Sequence, residues 1–357
     1  MVQSDTNTPR RFEPDQLREF VGAVLQSGGV VKEHAEQVAH GLVRADMRGV
    51  DSHGVSRLEA YMKKFEGGGF NPDPDIQTHR LGSGSALVDA DDGPGQSAAL
   101  LAMTEAMDLA EETGVGTVAV RNSNHFGTAA YYTEYASDRN YLGIAMTNVG
   151  SDVIPFGGAT RFLGTNPISF SVPTDRSFPI TLDMATSVVA MGKIQEVSRR
   201  EDTEIPPEWA VNEHGEPTTD PHEAVAVRPL GGPKGYGLGI MVDVLSGVLS
   251  SAGTSPTVGP LYDDFDKPMR LGHFVAAIDI ETFRDTETFK REIGEYIDQL
   301  KAIETRDGFD EIRLPGEIEA EQLAQQEEAG VELRPSTIER LRSVGGTYGV
   351  DLPEPVG

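Results

Sequence analysis

His125 is the side chain best placed to move a proton. It sits in Asn122-Ser-Asn-His-Phe-Gly127, directly after the apolar run Val115 to Val120, which reads as a buried strand. A helix-like segment over 128–137 follows, so the histidine stands just beyond a strand's carboxyl end. That is where α/β proteins display ligand and catalytic groups. Histidine is also the side chain most easily tuned to trade a proton near neutral pH. A hydrogen-bonded structural histidine is the plainer alternative.

A second constellation is Asp51-Ser52-His53-Gly54 with Arg57 and Tyr61. Arg57 and Tyr61 are four apart, hence on one helix face. An arginine fork matches a carboxylate with two bonds, and a helix start favours an anion. Together they suit a small carboxylate substrate; a capped helix with a surface arginine is the alternative. A third is Thr181-Leu-Asp-Met-Ala-Thr186, continuing to Gly192-Lys193-Ile194. Asp183 at a strand end, followed by Met184 and Ala185, can bind a ribose or orient a histidine. A fourth is Gly231-Gly-Pro-Lys-Gly-Tyr-Gly-Leu-Gly239. Glycines around Lys234 bring backbone amides and an ammonium close to an anion such as a phosphate, unless they serve close helix packing. It is neither a Walker A loop nor a Gly-x-Gly-x-x-Gly fingerprint, and the chain contains no convincing Rossmann fingerprint. Leu314-Pro315-Gly316-Glu317, after a strand-like 311–314, is by itself only a turn.

Other chemistries fit poorly. The eight histidines show no His-x-x-x-His pairing, so no metal is expected. Ser52-His53 lacks the nucleophile elbow of a hydrolase. With no cysteine there is no disulfide, thiolate nucleophile or thiolate metal site.

These residues need positioning elements, and the patterning supplies them. Leu17, Phe20, Val21, Val24 and Leu25 define a helix over 15–27, stopped by Gly28-Gly29. Helices are predicted over 33–47 and through Leu58, Met62 and Phe65, with Ser52 or Asp51 as a cap. Strands are predicted at 85–90, 115–120, 142–149, 178–183 and 274–280, and a long helix at 96–113. Residues 187–199 read as a helix, 200–227 as polar loops, and 235–249 as a tightly packed buried helix. Charged helices follow at 286–302, 317–330 and 336–344. Strands alternate with helices in the middle and both ends are helical, an α/β architecture. Residues 1–80 and about 281–357 are expected to form a helical substrate and dimer domain, and about 81–280 an α/β nucleotide-binding domain.

The charge is extreme. Asp and Glu total 57 against 30 Lys and Arg, a net of −27, and only eight of the basic residues are lysine. Such a surface repels nucleic acid and anionic membranes. Spread along the chain with so few lysines, it suits a protein kept soluble in concentrated salt, so a halophilic cytoplasm is expected. No run approaches the length of a membrane span, and residues 1–12 lack the apolar segment of a secretory signal.

Taken together, the motifs resemble the malate/L-lactate dehydrogenase family, of the sulfolactate and ureidoglycolate dehydrogenase type. They are Asp51-Ser-His-Gly with Arg57 and Tyr61, Asn122-Ser-Asn-His-Phe-Gly, Gly164-Thr-Asn-Pro167, Asp183-Met-Ala-Thr, Gly192-Lys193 and Lys234-Gly-Tyr-Gly. They span about residues 12 to 345 in the family's order. The resemblance implies a sulfolactate-dehydrogenase-like fold with a non-Rossmann NAD(P)-binding domain, and a homodimer acting on small 2-hydroxy or 2-oxo acids with NAD or NADP. It implies His125 as the catalytic histidine, a Ser52–His53–Lys193 relay, Arg57 on the substrate carboxylate with Tyr61 beside it, and cofactor contacts from Asn148, Asp183, Met184, Ala185, Lys234, Pro315, Gly316 and Glu317. One departure is Val149, where relatives often carry a serine after the asparagine; the contact then falls to backbone or to Ser151.

On this reading Arg57 fixes the substrate, a histidine trades the hydroxyl proton, and hydride passes between C2 and the nicotinamide. His53 competes with His125 for the proton. Malate is the favoured substrate, with sulfolactate, ureidoglycolate, lactate or a cyclic imino acid as alternatives. A non-enzymatic acidic binding protein of the same fold is the remaining one. A second basic group facing Arg57 would favour a dianion, with His214, His222 and Arg228 as candidates. Arg199-Arg200 is the candidate 2′-phosphate contact.

Overall fold

The computed structural model describes residues 8–198 and 203–356, so the Arg199-Arg200 pair lies outside the described residues. The chain opens with β1 (Arg10–Phe12), α1 (Pro14–Ser27) and α2 (Lys32–Met47). Glu13 caps α1 by accepting the Asp15 N–H, Pro14 fills the first turn, and the chain leaves through Gly28 and Gly29, the latter at φ 92°. The apolar stripe Leu17, Phe20, Val21, Val24 and Leu25 is buried as its spacing predicts. Two 3₁₀ turns, Asp51–His53 and Val55–Arg57, lead into α3 (Leu58–Gly67).

The central region holds β2 (Gln77–Gly82), β3 (Ser85–Asp89), α4 (Gly95–Thr113), β4 (Val115–Ser123), α5 (Ala130–Ser137), β5 (Tyr141–Thr147), β6 (Ile168–Val172), β7 (Ile180–Met184) and α6 (Met191–Val197). Three two-residue strands follow, β8 (Ala210–Val211), β9 (Pro217–Thr218) and β10 (Ala226–Val227). Then come α7 (Pro233–Asp243), which runs into a π-helical turn at Val244–Val248, and β11 (Leu271–Asp279). The last elements are α8 (Ile280–Phe283), α9 (Thr286–Lys301), α10 (Glu317–Ala329), β12 (Val331–Leu333) and α11 (Pro335–Tyr348).

Seven strands form one sheet in the order β2-β3-β4-β11-β5-β6-β7. Only β3 and β4 run parallel; every other neighbour is antiparallel. β11 enters the middle, with Val275 opposite both Val118 and Ala145. Helices α4 and α5 cover one face. Gly116 permits the approach of α4, since a Cβ there would stand 1.9 Å from the Ala106 carbonyl.

A second core joins both chain ends. Leu17, Phe20, Leu42 and Leu58 pack with Ile338, Leu341 and Val344. β1 pairs with β12, Arg10 opposite Leu333.

The elements differ from the sequence expectations in several places, the short strands β1, β8, β9, β10 and β12 among them. β6 and β2 were not anticipated: β2 is almost wholly exposed, and β6 alternates apolar residues with Ser169 and Ser171. Those two serines are buried and bond the Thr133 hydroxyl of α5 at 2.8 Å. The strand expected at 311–314 does not form. Its charges face solvent, where Arg313 pairs with Glu311 and Glu321, and a single backbone bond, Thr181 N–H to Pro315 O, joins this segment to β7. The helix expected at 187–199 begins only at Met191, because Val188 N–H donates to the Arg228 carbonyl and Leu230 N–H to the Thr186 carbonyl, pairing Ser187 with Pro229 in a β-bridge. Neither Ser52 nor Asp51 caps α3, and Asp51 pairs with Arg334 at 3.3 Å.

Candidate active site

The turn that carries Arg57 is anchored by a buried carboxyl on α2. The Val55 N–H donates to Asp46 Oδ2 at 2.7 Å, which fixes the second 3₁₀ turn. Burial holds the Asp46 carboxyl well above the ordinary range. Gly54 lies against it: an added Cβ would meet the carboxylate at 2.1 Å. The turn lets Arg57 Nε donate to the Ser52 carbonyl at 2.6 Å. From the other side, Arg57 Nη1 donates to the Tyr262 hydroxyl, and the guanidinium lies 5.1 Å from that ring's centroid. The fork is thus held in place before any substrate arrives.

His125 is held by its loop. Asn124 Nδ2 donates to the Asp92 and Gly93 carbonyls at 2.6 and 3.0 Å, and its Oδ1 accepts the Met269 N–H at 3.1 Å. Phe126 stacks on His273 at 4.6 Å, and the Tyr132 hydroxyl donates to the Phe126 carbonyl. His273 is fully buried, with Thr147 and Ser123 hydroxyls 2.8 Å from its two nitrogens. Burial pushes its pKa down to about 3.

The His125 ring nitrogen Nδ1 lies 2.6 Å from the Tyr61 hydroxyl and accepts the Gly127 N–H at 3.3 Å. Tyr61 is itself buried and accepts from Gln96 Nε2 at 2.9 Å. Among the described residues Nε2 of His125 has no protein hydrogen bond, so that edge is available to a ligand. Desolvation, then Arg57, His53 and His273, hold the His125 pKa well below its usual value. His53 stacks on it at 5.5 Å with an angle of 21° between planes. Desolvation and Arg57 bring His53 down to about 4, and Ser52 Oγ lies 2.9 Å from its Nδ1. Both imidazoles are neutral at neutral pH.

Most of the predicted cofactor residues meet around the end of β7. Asp183 Oδ2 accepts the Ala130 N–H at 2.8 Å and so ties β7 to the helix that follows the His125 loop. Desolvation of its carboxyl raises the pKa to about 6, tempered by the Ala130 N–H bond and by Arg48. Met184 and Ala185 continue from it half-buried. The Pro315–Glu317 turn lies beside Thr181, where Gly316 at φ 84° would bring a Cβ to 2.8 Å from the threonine Cβ. Glu317 is occupied, accepting from Leu314 N–H at 2.8 Å and from Lys301. Burial pushes its pKa up, but those two partners more than offset this and hold it low. Lys234 is exposed at the start of α7 and has no ion pair among the described residues. Gly231 and Gly232, at φ 57° and 65°, lead into it. Gly235 and Gly239 instead serve packing, against the backbone and hydroxyl of Thr186. The Gly232, Gly235 and Tyr236 N–H groups are bonded to backbone carbonyls, so the exposed ammonium of Lys234 is the group here that fits a phosphate.

Three predicted residues are placed elsewhere than expected. Asn148 is fully buried, and its amide is spent on Asp243, Gly253 and the Gly272 N–H. Ser151 Oγ donates to the Phe162 carbonyl at 2.7 Å. Lys193 points along its own helix to Glu196 at 3.5 Å and makes no bond to Ser52 or His53. Glu196 also lies 3.7 Å from Arg334, which pairs with Asp51, so the link to the Ser52 segment is indirect. Of the candidates for a second basic group, Arg228 donates to the Pro207 carbonyl, and His214 and His222 are exposed.

Four residues escaped the sequence reading: Asp46, Gln96, Tyr262 and His273. Gln96, Tyr262 and His273 act through partners distant in sequence, whereas Asp46 bonds Val55 nine residues on. For Asp46 a signal existed, a carboxylate on an apolar helix face just before the Asp51 segment.

The profile of the family described as malate/L-lactate dehydrogenase matches residues 12–342. A malate dehydrogenase of Pyrococcus horikoshii is 40% identical over 351 residues, 96% of each chain. Its solved structure superposes with a TM-score of 0.88 over 98% of both chains. A ureidoglycolate dehydrogenase (NAD+) of Escherichia coli K12 is 37% identical over 322 residues, covering 90% of this chain and 91% of that one. The structure of a sulfolactate dehydrogenase from Methanocaldococcus jannaschii superposes with a TM-score of 0.89 at 36% identity, over 97% of this chain and 98% of that one.

Proposed function

The chain belongs to the malate/L-lactate dehydrogenase family and is an NAD(P)-dependent 2-hydroxyacid dehydrogenase, and from that premise we propose malate and oxaloacetate as its substrate pair. The observation that carries the mechanism is the grouping of an immobilised Arg57 with two stacked neutral histidines. The identity to malate dehydrogenases along almost the whole chain supports the choice of substrate.

Arg57 pairs with the substrate carboxylate and presents C2. In oxidation His125 takes the hydroxyl proton at Nε2; in reduction it returns that proton to the carbonyl oxygen. A bound nicotinamide supplies the hydride acceptor or donor. The unbound Arg57 cation is one cause of the low His125 pKa. A substrate carboxylate offsets that charge, so binding itself raises the basicity of His125 when it is needed. Proton transfer of this kind contributes about 10²–10⁴-fold. His53 stacks on His125 and shields it, and Ser52 orients His53.

For the cofactor, NAD or NADP, we assign Lys234 to a phosphate and Asp183, Met184 and Ala185 to the adjacent strand end. Pro315 and Gly316 contribute backbone, Glu317 holds their turn, and Asn148 braces the neighbouring loop. Lys193 reaches this region only by leaving Glu196. We further propose a cytoplasmic homodimer. Phe170 and Leu182, opposite each other on β6 and β7, Met241 on α7 and Val248 in the π-helical turn after it are exposed apolar residues that a second copy would cover. Among the described residues no helix is long and apolar enough to cross a membrane. The division into 1–80 plus about 281–357 and about 81–280 belongs to the same proposal.

The test is NAD(P)H consumption in about 2–3 M KCl, a salt level suited to a strongly anionic chain. Oxaloacetate, pyruvate, sulfopyruvate and a cyclic imino acid are each supplied with NADH and with NADPH. Preferred turnover of oxaloacetate is the expected result. Turnover of another member alone replaces the substrate.

A further inference from the structure

Gln96 is 1% exposed, in the first turn of α4, and the chemistry above gives it no task. Its Nε2 donates to the Tyr61 hydroxyl at 2.9 Å, while its Oε1 is buried without a hydrogen-bond partner. The Tyr61 hydroxyl in turn lies 2.6 Å from His125 Nδ1, and the Gly127 N–H points at the same nitrogen from 3.3 Å. The bond directions follow one after another. Gln96 donates to the hydroxyl and the Gly127 N–H donates to Nδ1, which is thereby an acceptor; the hydroxyl proton then goes to Nδ1 at 2.6 Å in preference to the His125 carbonyl at 3.4 Å. The single ring proton of neutral His125 therefore sits on Nε2, and a nitrogen already protonated cannot take a proton from a hydroxyl.

Half a turn of the Gln96 amide exchanges its donor and acceptor with almost no change of shape. Tyr61 then donates to Oε1, its oxygen accepts from Nδ1–H, and Nε2 presents a lone pair. The amide makes one bond to Tyr61 in either orientation, so the two states are nearly matched in hydrogen-bond count. The Gly127 N–H favours the first, because in the second it faces Nδ1–H.

We propose that Gln96 is a positioning residue that sets, through Tyr61, which nitrogen of His125 carries the ring proton. At rest it keeps Nε2 protonated; with its amide turned over it makes Nε2 a base. The inference rests on His125 as the proton carrier of the dehydrogenase. The tautomer changes when Nε2–H gives its proton to solvent and Nδ1, released from Tyr61 by a transient opening of the site, takes one from solvent, so the proton count is unchanged. In oxidation the substrate proton then goes to Nε2, giving imidazolium with Nδ1–H held by Tyr61. A bound nicotinamide would accept the C2–H pair as hydride, and the O–H pair left on oxygen would close the carbonyl. Reduction runs the same steps backward. Tyr61 and Gln96 change only the direction of their hydrogen bonds.

The test reads the tautomer directly, by ¹⁵N NMR of histidine-labelled, ligand-free full-length protein, with the His125 signals identified by their loss in His125→Asn. The wild type is expected in the Nε2–H form. Gln96→Glu, followed from about pH 7 to about pH 10 because burial raises such a carboxyl to about 8–9, offers Tyr61 only an acceptor once ionised and should then move His125 to the Nδ1–H form. Adding Gln96→Glu to Tyr61→Phe should change nothing further, because the link is cut. An Nδ1–H wild type, or a Gln96→Glu spectrum like the wild type's, overturns the proposal. If Gln96→Glu does not fold, Gln96→Met decides. A kcat lower by about tenfold or more with KM within about twofold supports the proposal, and an unchanged kcat overturns it. If the tautomer follows Gln96 but no 2-oxo acid is reduced, the positioning stands and the reaction assigned above falls.

Discussion

His53 and His125 lie ring against ring, centroids 5.5 Å apart and planes 21° from parallel. Two residues 72 positions apart thus share one desolvated space beside one arginine. Desolvation first and Arg57 second keep both imidazoles from holding a proton, so a carboxylate bound at Arg57 relieves part of that penalty before proton transfer.

Arg57→Ala should raise the substrate KM about 10–100-fold with a smaller effect on kcat, since a charge-assisted pair contributes about 1.5–3 kcal/mol. Tyr262→Phe removes the hydroxyl and keeps the ring, so its KM should rise less than that of Arg57→Ala. Steady-state kinetics on both variants decide; an unchanged KM in Arg57→Ala contradicts the clamp.

Gly54→Ala places a methyl 2.1 Å from the Asp46 carboxylate. The 3₁₀ turn must shift, and Ser52, His53 and Arg57 shift with it. The expected result is a loss of activity together with a Tm lower by several degrees, as befits a steric clash of about 1–3 kcal/mol. Thermal unfolding and activity on the same sample measure both; a variant with wild-type values in each rejects the account of Asp46.

Acid should weaken the fold through His273. Its folded pKa is about 3, against 6.5 in the ordinary state. The folded form therefore stays neutral while the unfolded chain takes up a proton. The associated stability is complete above pH 6.5 and is lost as pH falls toward 3, at up to about 1.4 kcal/mol per pH unit. His40, His53 and His125 have the same sign. Asp183, raised to about 6, has the opposite sign and works against them between its ordinary 3.8 and 6. Urea unfolding from pH 7 to 5 in constant salt should show a shallower decline for His273→Gln than for the wild type. Parallel declines would refute the assignment.

With a net charge of −27, the fold should depend on salt. Circular dichroism and activity are expected to persist in about 2–3 M KCl and to fall in dilute buffer. Full structure and activity in dilute buffer would mark an ordinary acidic protein.

Much of this was legible in the sequence, and the limits have physical causes. The stripe Leu17 to Leu25 and the run Val115 to Val120 announced their elements because burial imposes period on composition. His125, His53 and Arg57 were found through motif spacing, and the fold brings those three together. β2 escaped because an exposed edge strand carries no apolar pattern. The antiparallel entry of β11 between β4 and β5 escaped because pairing across more than a hundred residues leaves no local mark. Gln96 and Tyr262 escaped for the same reason: each is read only from the partner it meets. Asn148 shows the converse, since a residue in a motif can serve a brace of buried hydrogen bonds.

The most direct test compares wild type, His125→Ala and His53→Ala for oxaloacetate reduction, with NAD(P)H fluorescence on mixing as the measure of cofactor binding. The account predicts that His125→Ala binds cofactor normally and loses kcat by about 10²–10⁴-fold, while His53→Ala loses less. Near-normal turnover in His125→Ala, with the large loss in His53→Ala, would contradict it.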